Sequence, residues 1–163
     1  MKLYMLALQK NYILTVSITA WAVAQILKTV INLVTNRKMN FERLVGSGGM
    51  PSSHSALVCA MVVAVARSQG AGSALFGVAF ILACIVMYDA MGVRNETGKQ
   101  ARILNRIILE RLNDSDPNNK NIIDPGFKKL KELVGHTPFE VIAGAVLGLL
   151  LGYFIPMPYT ALI

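Results

Sequence analysis

The sequence predicts an all-α integral membrane protein, with about four transmembrane helices and amphipathic interfacial helices beside them, in one domain over residues 1–163. Three observations carry that prediction. Of 163 residues, 54% are hydrophobic and 15% charged, with mean hydropathy +0.51, whereas an average soluble domain has roughly 25% charged residues. The apolar residues gather into runs at about 12–34, 55–68, 73–91 and 138–155. The basic residues cluster beside those runs, mostly in a polar loop at about 92–137.

The first run is long enough to cross ~30 Å of hydrocarbon at about 1.5 Å per residue. Before it, "MKLYMLALQK" lacks a long apolar core and a small-residue cleavage site, so no signal peptide is expected. That stretch is short and amphipathic, which suits the membrane interface. Within the run, Trp21, Gln25, Lys28 and Asn32 fall at i, i+4, i+7 and i+11, one helical face. A lysine in a span costs ~2.5–3.5 kcal/mol at the helix centre. Either Lys28 snorkels to the headgroups or it serves a polar interior pocket. Gln25 and Asn32 on the same face favour the pocket.

The second run opens with "GSGGMPSSHSA". Pro51 and the serines read as a helix start, with Ser52 or Ser53 as cap. A helix N-terminus presents unpaired N–H groups and partial positive charge, a ready anion site. The Gly46–Gly49 stretch lets backbone approach a ligand closely. His54, just inside the helix, can hydrogen-bond or protonate an oxyanion bound there. The same residues also read as a plain cap with a surface histidine. The span is short unless it begins in a re-entrant position.

The third run follows the turn "SQGAGS" and ends in "YDAMGVRNETGKQA". Asp89 lies in or close to the membrane, and Arg94 follows by five. They form either an ion pair that orients a phosphate-gripping arginine or a structural pair at the interface. Cys59 and Cys84 lie inside apolar runs without paired spacing and read as small buried hydrophobes. In the polar loop, "GKQARILNRIILERLND" is helical in pattern. Ala101, Leu104, Ile107, Ile108 and Leu112 make an apolar stripe, with Lys99, Arg102 and Arg106 on another face. That is a basic amphipathic helix for a membrane surface. "DSDPNNKNIIDPG" reads as loop and "FKKLKELVG" as a second short basic helix.

The fourth run begins at "GHTPFEVIAG". Thr137 as N-cap, Pro138 at the first helical position and Glu140 at the third make a capping box. His136 and Glu140 are four apart, so the carboxylate can also receive an imidazole N–H and raise its nucleophilicity. The glycines of "AGAVLGLLLGYF" suit close helix packing in lipid and permit a homo-oligomer.

With four spans, the loops at 35–53 and 92–137 share a side. They carry twelve basic residues, against three (Lys2, Lys10 and Arg67) on the other. The positive-inside rule makes the loop side cytoplasmic and puts both termini outside. His54 and His136, the chain's two histidines, both fall at span entrances on that side. The net charge of +7 is explained by anionic headgroups beside the spans, so nucleic acid is not an expected partner. Two histidines and scattered carboxylates do not form a closed metal-ligand set, and no nucleotide-cradling glycine loop is present.

These strings resemble the divergent bacterial and plastid branch of the type 2 phosphatidic acid phosphatase superfamily, which also includes the vanadium-dependent haloperoxidases. The resemblance covers nearly the whole chain, in "AQILK", "GGMPSSHSALV", "YDAMGVRNETGKQA" and "LKELVGHTPFEVIAGAVLG". The superfamily pattern is K-x6-R-P, then P-S-G-H, then S-R-x5-H-x3-D. Pro51-Ser52-Ser53-His54 is similar to the second element with serine for glycine, and His136 to Glu140 to the third with Glu for Asp.

The resemblance implies His136 as nucleophile, Glu140 as its orienter and His54 as general acid. Lys28, Gly49, Ser52, Ser53, Arg94 and Lys131 would hold phosphate, with Asp89 and Gln25 as orienting residues. No Arg-Pro follows Lys28 at the expected spacing, and Leu130 stands where the third-motif arginine belongs. Arg94, Lys129 and Lys131 are the alternatives for that role. The resulting expectation is a phosphatase of a bacterial plasma membrane. It would act without metal or other cofactor on a phosphate or diphosphate ester of an isoprenoid or glycerolipid. Its pocket would face the cytoplasm. The alternative is a non-catalytic protein that binds a phosphorylated lipid headgroup, and a small transporter or assembly subunit has weaker support.

Overall fold

The computed structural model describes residues 11–36, 49–113, 129–132 and 134–157. The segment "MKLYMLALQK", Gly46 to Gly48, Arg37, the side chain of Leu112 and the loop "DSDPNNKNIIDPG" lie outside the described residues. Among the described residues there are five helices and no strand: α1 Tyr12–Asn36, α2 Ser53–Gln69, α3 Ala74–Met91, α4 Val93–Asn113 and α5 Pro138–Phe154. Each apolar run has become a helix. Helices α1 and α3 are long and apolar enough to cross a membrane, and α5 is a shorter apolar helix.

Helix α2 is the hub and packs against α1, α3 and α5. Its contact with α5 is set by residue size. Gly144 lies on Ser52, Gly148 on Ala56, and Gly152 on Ala60 and Val63. Positions rise together along both helices, so α2 and α5 run parallel. A Cβ at Gly144 or Gly148 would collide with the Ser52 or Ala56 carbonyl, and glycine every fourth residue removes that collision. The core beside this seam is correspondingly small-residued: Val16 and Ala20 of α1 meet Ala60 and Ala64.

Helix α1 runs the other way. Its Tyr12 hydroxyl donates to the Ile155 carbonyl beyond the end of α5 at 3.3 Å, and its Lys28 lies beside Gly49 before α2. Helix α3 also opposes α2, capped by Ser73, whose hydroxyl accepts from Phe76 N–H at 3.2 Å. The starts of α2 and α5 therefore meet the end of α3 and the later part of α1. At the far end, Arg67 donates through Nη1 to the carbonyls of Gly152, Tyr153 and Ile155 at 2.8, 2.9 and 2.8 Å. One guanidinium thus serves carbonyls that the end of α5 leaves without helical partners.

One expected element is absent. The described part of "FKKLKELVG", residues 129–132 and 134–135, is not helical. Its backbone is taken by α4 instead. Asn105 accepts from Leu130 N–H at 2.9 Å and donates to the Leu130 carbonyl at 2.8 Å. The Glu132 and Val134 carbonyls lie over Gly98. A residue whose amide and carbonyl are both held by a neighbouring helix cannot also make helical bonds.

Candidate phosphate site at two helix starts

At the start of α2, Ser52 is the N-cap and accepts from Ser55 N–H at 3.3 Å and Ser55 hydroxyl at 3.0 Å. Ser52 and Ser55 are fully buried, Ser53 nearly so. Ser52 N–H donates to the Glu140 carbonyl at 3.0 Å. The Ser52 hydroxyl is thus committed to capping, while His54 is exposed at the helix mouth. Gly49 has φ +88, and a Cβ there would sit 3.3 Å from Lys28 Cε. Glycine is therefore what lets the turn close over the lysine stem. Lys28 is only 5% exposed, so it stays inside instead of snorkelling. Gln25 and Asn32 are half-buried on the same helix.

At the start of α5 the capping box is complete. Thr137 hydroxyl accepts from Glu140 N–H at 3.4 Å, and Glu140 Oε2 accepts from Thr137 N–H at 3.0 Å. The same Oε2 lies 3.2 Å from His136 Nδ1. A carboxylate only accepts, so Nδ1 carries the proton and Nε2 keeps its lone pair. His136 is 4% exposed. Burial pushes its pKa below the ordinary 6.5, against the pull of Glu140, and the charges of Lys28 and His54 push the same way as burial.

The loop that carries His136 is pinned on both sides. His136 N–H donates to the Ala90 carbonyl at 3.0 Å, and Gly135, at φ +82, lies against the Arg94–Asn95 backbone, where a side chain would collide. Next to it Arg94 Nε pairs with Asp89 Oδ2 at 2.5 Å. That contact uses one edge of the guanidinium and leaves its terminal nitrogens for another anion. Arg94 and Lys28 are close enough for their charges to act on His54.

Lys28, His54, Arg94, His136 and Glu140 are therefore gathered at one end of the bundle, with Asp89 behind Arg94 and Gly49, Ser52 and Ser53 forming the turn into α2. Lys131 is exposed in the segment strapped to α4. Lys129 pairs with Glu132 at 3.3 Å. Among the described residues no group of three or more His, Cys, Asp or Glu side chains is arranged to hold a metal ion. Sequence reasoning missed Asn105, Gly98 and Gly135, which position the His136 loop. The available signal was the row Gly98, Ala101 and Asn105, small and polar residues at i, i+3 and i+7 on one helical face.

Comparison with known proteins bears out the resemblance read from the motifs. Residues 9–151 match the family described as "Divergent PAP2 family". A relative from Bacillus subtilis (strain 168), "Uncharacterized membrane protein YuiD", is 40% identical over 144 residues, 86% of this chain and 91% of the relative. No solved structure matches the chain.

Proposed function

The chain belongs to the divergent PAP2 family, and from that premise we propose that it is a membrane lipid-phosphate phosphatase working through a histidine nucleophile. The observation that carries the reading is the His136–Glu140 contact of 3.2 Å, which leaves Nε2 as the reactive atom. Nε2 attacks phosphorus of a phosphate or diphosphate ester of an isoprenoid or glycerolipid. The P–O bond to the leaving group breaks, and protonated His54 gives its proton to the departing oxygen. Water then attacks the phosphohistidine, with His54 as base, and releases phosphate. Glu140 stabilises the positive imidazole formed in the first step.

Lys28, Arg94 and the amides at the start of α2 take the phosphoryl oxygens, within the turn made by Gly49, Ser52 and Ser53. Asp89 orients Arg94, and Gln25 lines the lysine face. Lys131 is assigned to incoming headgroups at the rim. Arg94 replaces the motif arginine, since Leu130 holds that position and its backbone is tied to Asn105. Four helices, α1, α2, α3 and α5, span the bilayer in this reading, with the site cytoplasmic and both termini outside, on the strength of the basic loops.

The test is phosphate release in detergent from a panel of lipid phosphates and diphosphates, with EDTA present. Release by wild type that disappears in His136→Ala and in His54→Ala supports the assignment. Absence of release from folded wild type favours the second reading, a non-catalytic binder of phosphorylated headgroups. Leucine at the motif-arginine position is the observation behind that alternative.

A further inference from the structure

Helix α4 has an inner face that the fold fills and an outer face that it does not. Gly98, Ala101 and Asn105 are buried, with the Glu132 and Val134 carbonyls over Gly98 and the Leu130 backbone on Asn105. On the other side, Ile103, Leu104 and Ile107 are 59, 49 and 46% exposed in a continuous patch. Lys99, Arg102 and Arg106 lie beside that patch with exposed side chains, in surface ion pairs with Glu96, Glu132 and Glu110. Exposed pairs of this kind are weak enough to exchange for another anion. The helix carries five basic residues (Arg94, Lys99, Arg102, Arg106, Arg111) and two acidic ones (Glu96, Glu110). It begins two residues after α3, a helix apolar enough to cross a membrane, has ended at Met91. An apolar row edged with arginine and lysine, fixed at the end of a span, matches the interface of an anionic bilayer in both polarity and charge.

The inner face of the same helix holds the segment that leads into His136. Asn105, 2% exposed, grips Leu130 through both its backbone groups and donates to Glu132 Oε1 at 2.9 Å. Arg102 and Lys129 also face that carboxylate. Gly98 lets the Glu132 and Val134 backbone, and Gly135 lets its own backbone, lie directly on α4 just before His136.

We propose that the outer face of α4 docks on the anionic surface of the bilayer that holds the spans, and that Asn105 transmits this docking to the position of His136. The anionic surface is then a partner of the site: α4 is the beam, and Leu130, Glu132, Val134 and Gly135 tie the chain before the histidine to it. The consequence for turnover rests on the phosphatase reading above; the docking does not.

The experiment uses the full chain in vesicles of equal parts phosphatidylcholine and phosphatidylglycerol. Trp21 is the single tryptophan, so Trp21→Phe with Ile107→Trp puts one reporter on the outer face. Lipid brominated near the headgroup end of its chains quenches that reporter, and quenching weakens with phosphatidylcholine alone or with high salt. With only two histidines in the chain, histidine-selective labelling follows the His136 ring directly. Asn105→Ala keeps the quenching, shifts or broadens the His136 ring signals, and lowers phosphate release by up to about a hundredfold through misplacement.

Absence of quenching overturns the proposal, as does a reporter emission that depends on protein concentration, which would put a second copy on this face. An unchanged His136 spectrum in Asn105→Ala overturns the coupling. If wild type releases no phosphate, the phosphatase reading falls, while quenching and ring spectra still decide this one.

Discussion

At the residue scale, Glu140 performs three jobs that can be separated. Its carboxylate closes the capping box, holds His136 Nδ1, and its carbonyl receives Ser52 N–H. Glutamine supports a capping box as glutamate does, but it brings no charge to an imidazolium. Glu140→Gln is expected to leave thermal stability nearly unchanged and to lower kcat with little change in KM, read from steady-state phosphate release. The pH profile has a definite sign. The attacking form of His136 is neutral, and its pKa lies below 6.5 because of burial. Release therefore persists into mildly acid solution and falls as pH drops through that lowered value, while on the alkaline side it falls as His54, the general acid, loses its proton. Glu140 opposes the lowering, so in Glu140→Gln the acid limb moves to still lower pH. His54→Ala should cost about 10²–10⁴ in rate as loss of a general acid, and little in fold, since His54 is exposed.

At the element scale, the two helix starts keep their register through the α2–α5 seam. Gly144→Ala would push a methyl into the Ser52 carbonyl, at the turn that also accommodates His54. Overpacking of this kind typically costs about 1–3 kcal/mol, and here it also moves the two histidines apart. The expected outcome is lower stability and lower phosphate release together, seen by thermal melt and assay on one preparation. Arg67 allows the opposite separation. Arg67→Met removes the donor to three carbonyls at the far end of α5, and hydrogen bonds from a charged group are worth about 1.5–3 kcal/mol. That variant should melt earlier while its kcat holds at temperatures where it is folded.

At the scale of the whole molecule, the arrangement puts both helix N-termini, and both histidines, at one end. The proposed cytoplasmic orientation of that end can be read by labelling. Lys131 is exposed near it. A Lys131→Cys reporter, with the exposed Cys84 changed to serine, should react with an impermeant maleimide only after cells are opened. Labelling of intact cells would reverse the orientation and put the site outside.

Much of this protein is decided by local sequence. The apolar runs define four helices by length and hydropathy. Thr137, Pro138 and Glu140 specify their own capping box, and the i, i+4 spacing of His136 and Glu140 brings ring and carboxylate together on a single turn. Ser52 caps its helix for the same local reason. What depends on distant partners was left to tertiary structure. Whether Lys28 is buried or snorkels depends on Gly49 closing over it, and the neighbourhood of Arg94 and His54 depends on α3 ending beside α2. The basic stretch before His136 has a helical composition, yet Asn105 takes both backbone groups of Leu130, and the Glu132 and Val134 carbonyls lie over Gly98 of α4. Local propensity contributes tenths of a kcal/mol per residue, roughly, and a buried amide that satisfies two backbone groups outweighs it.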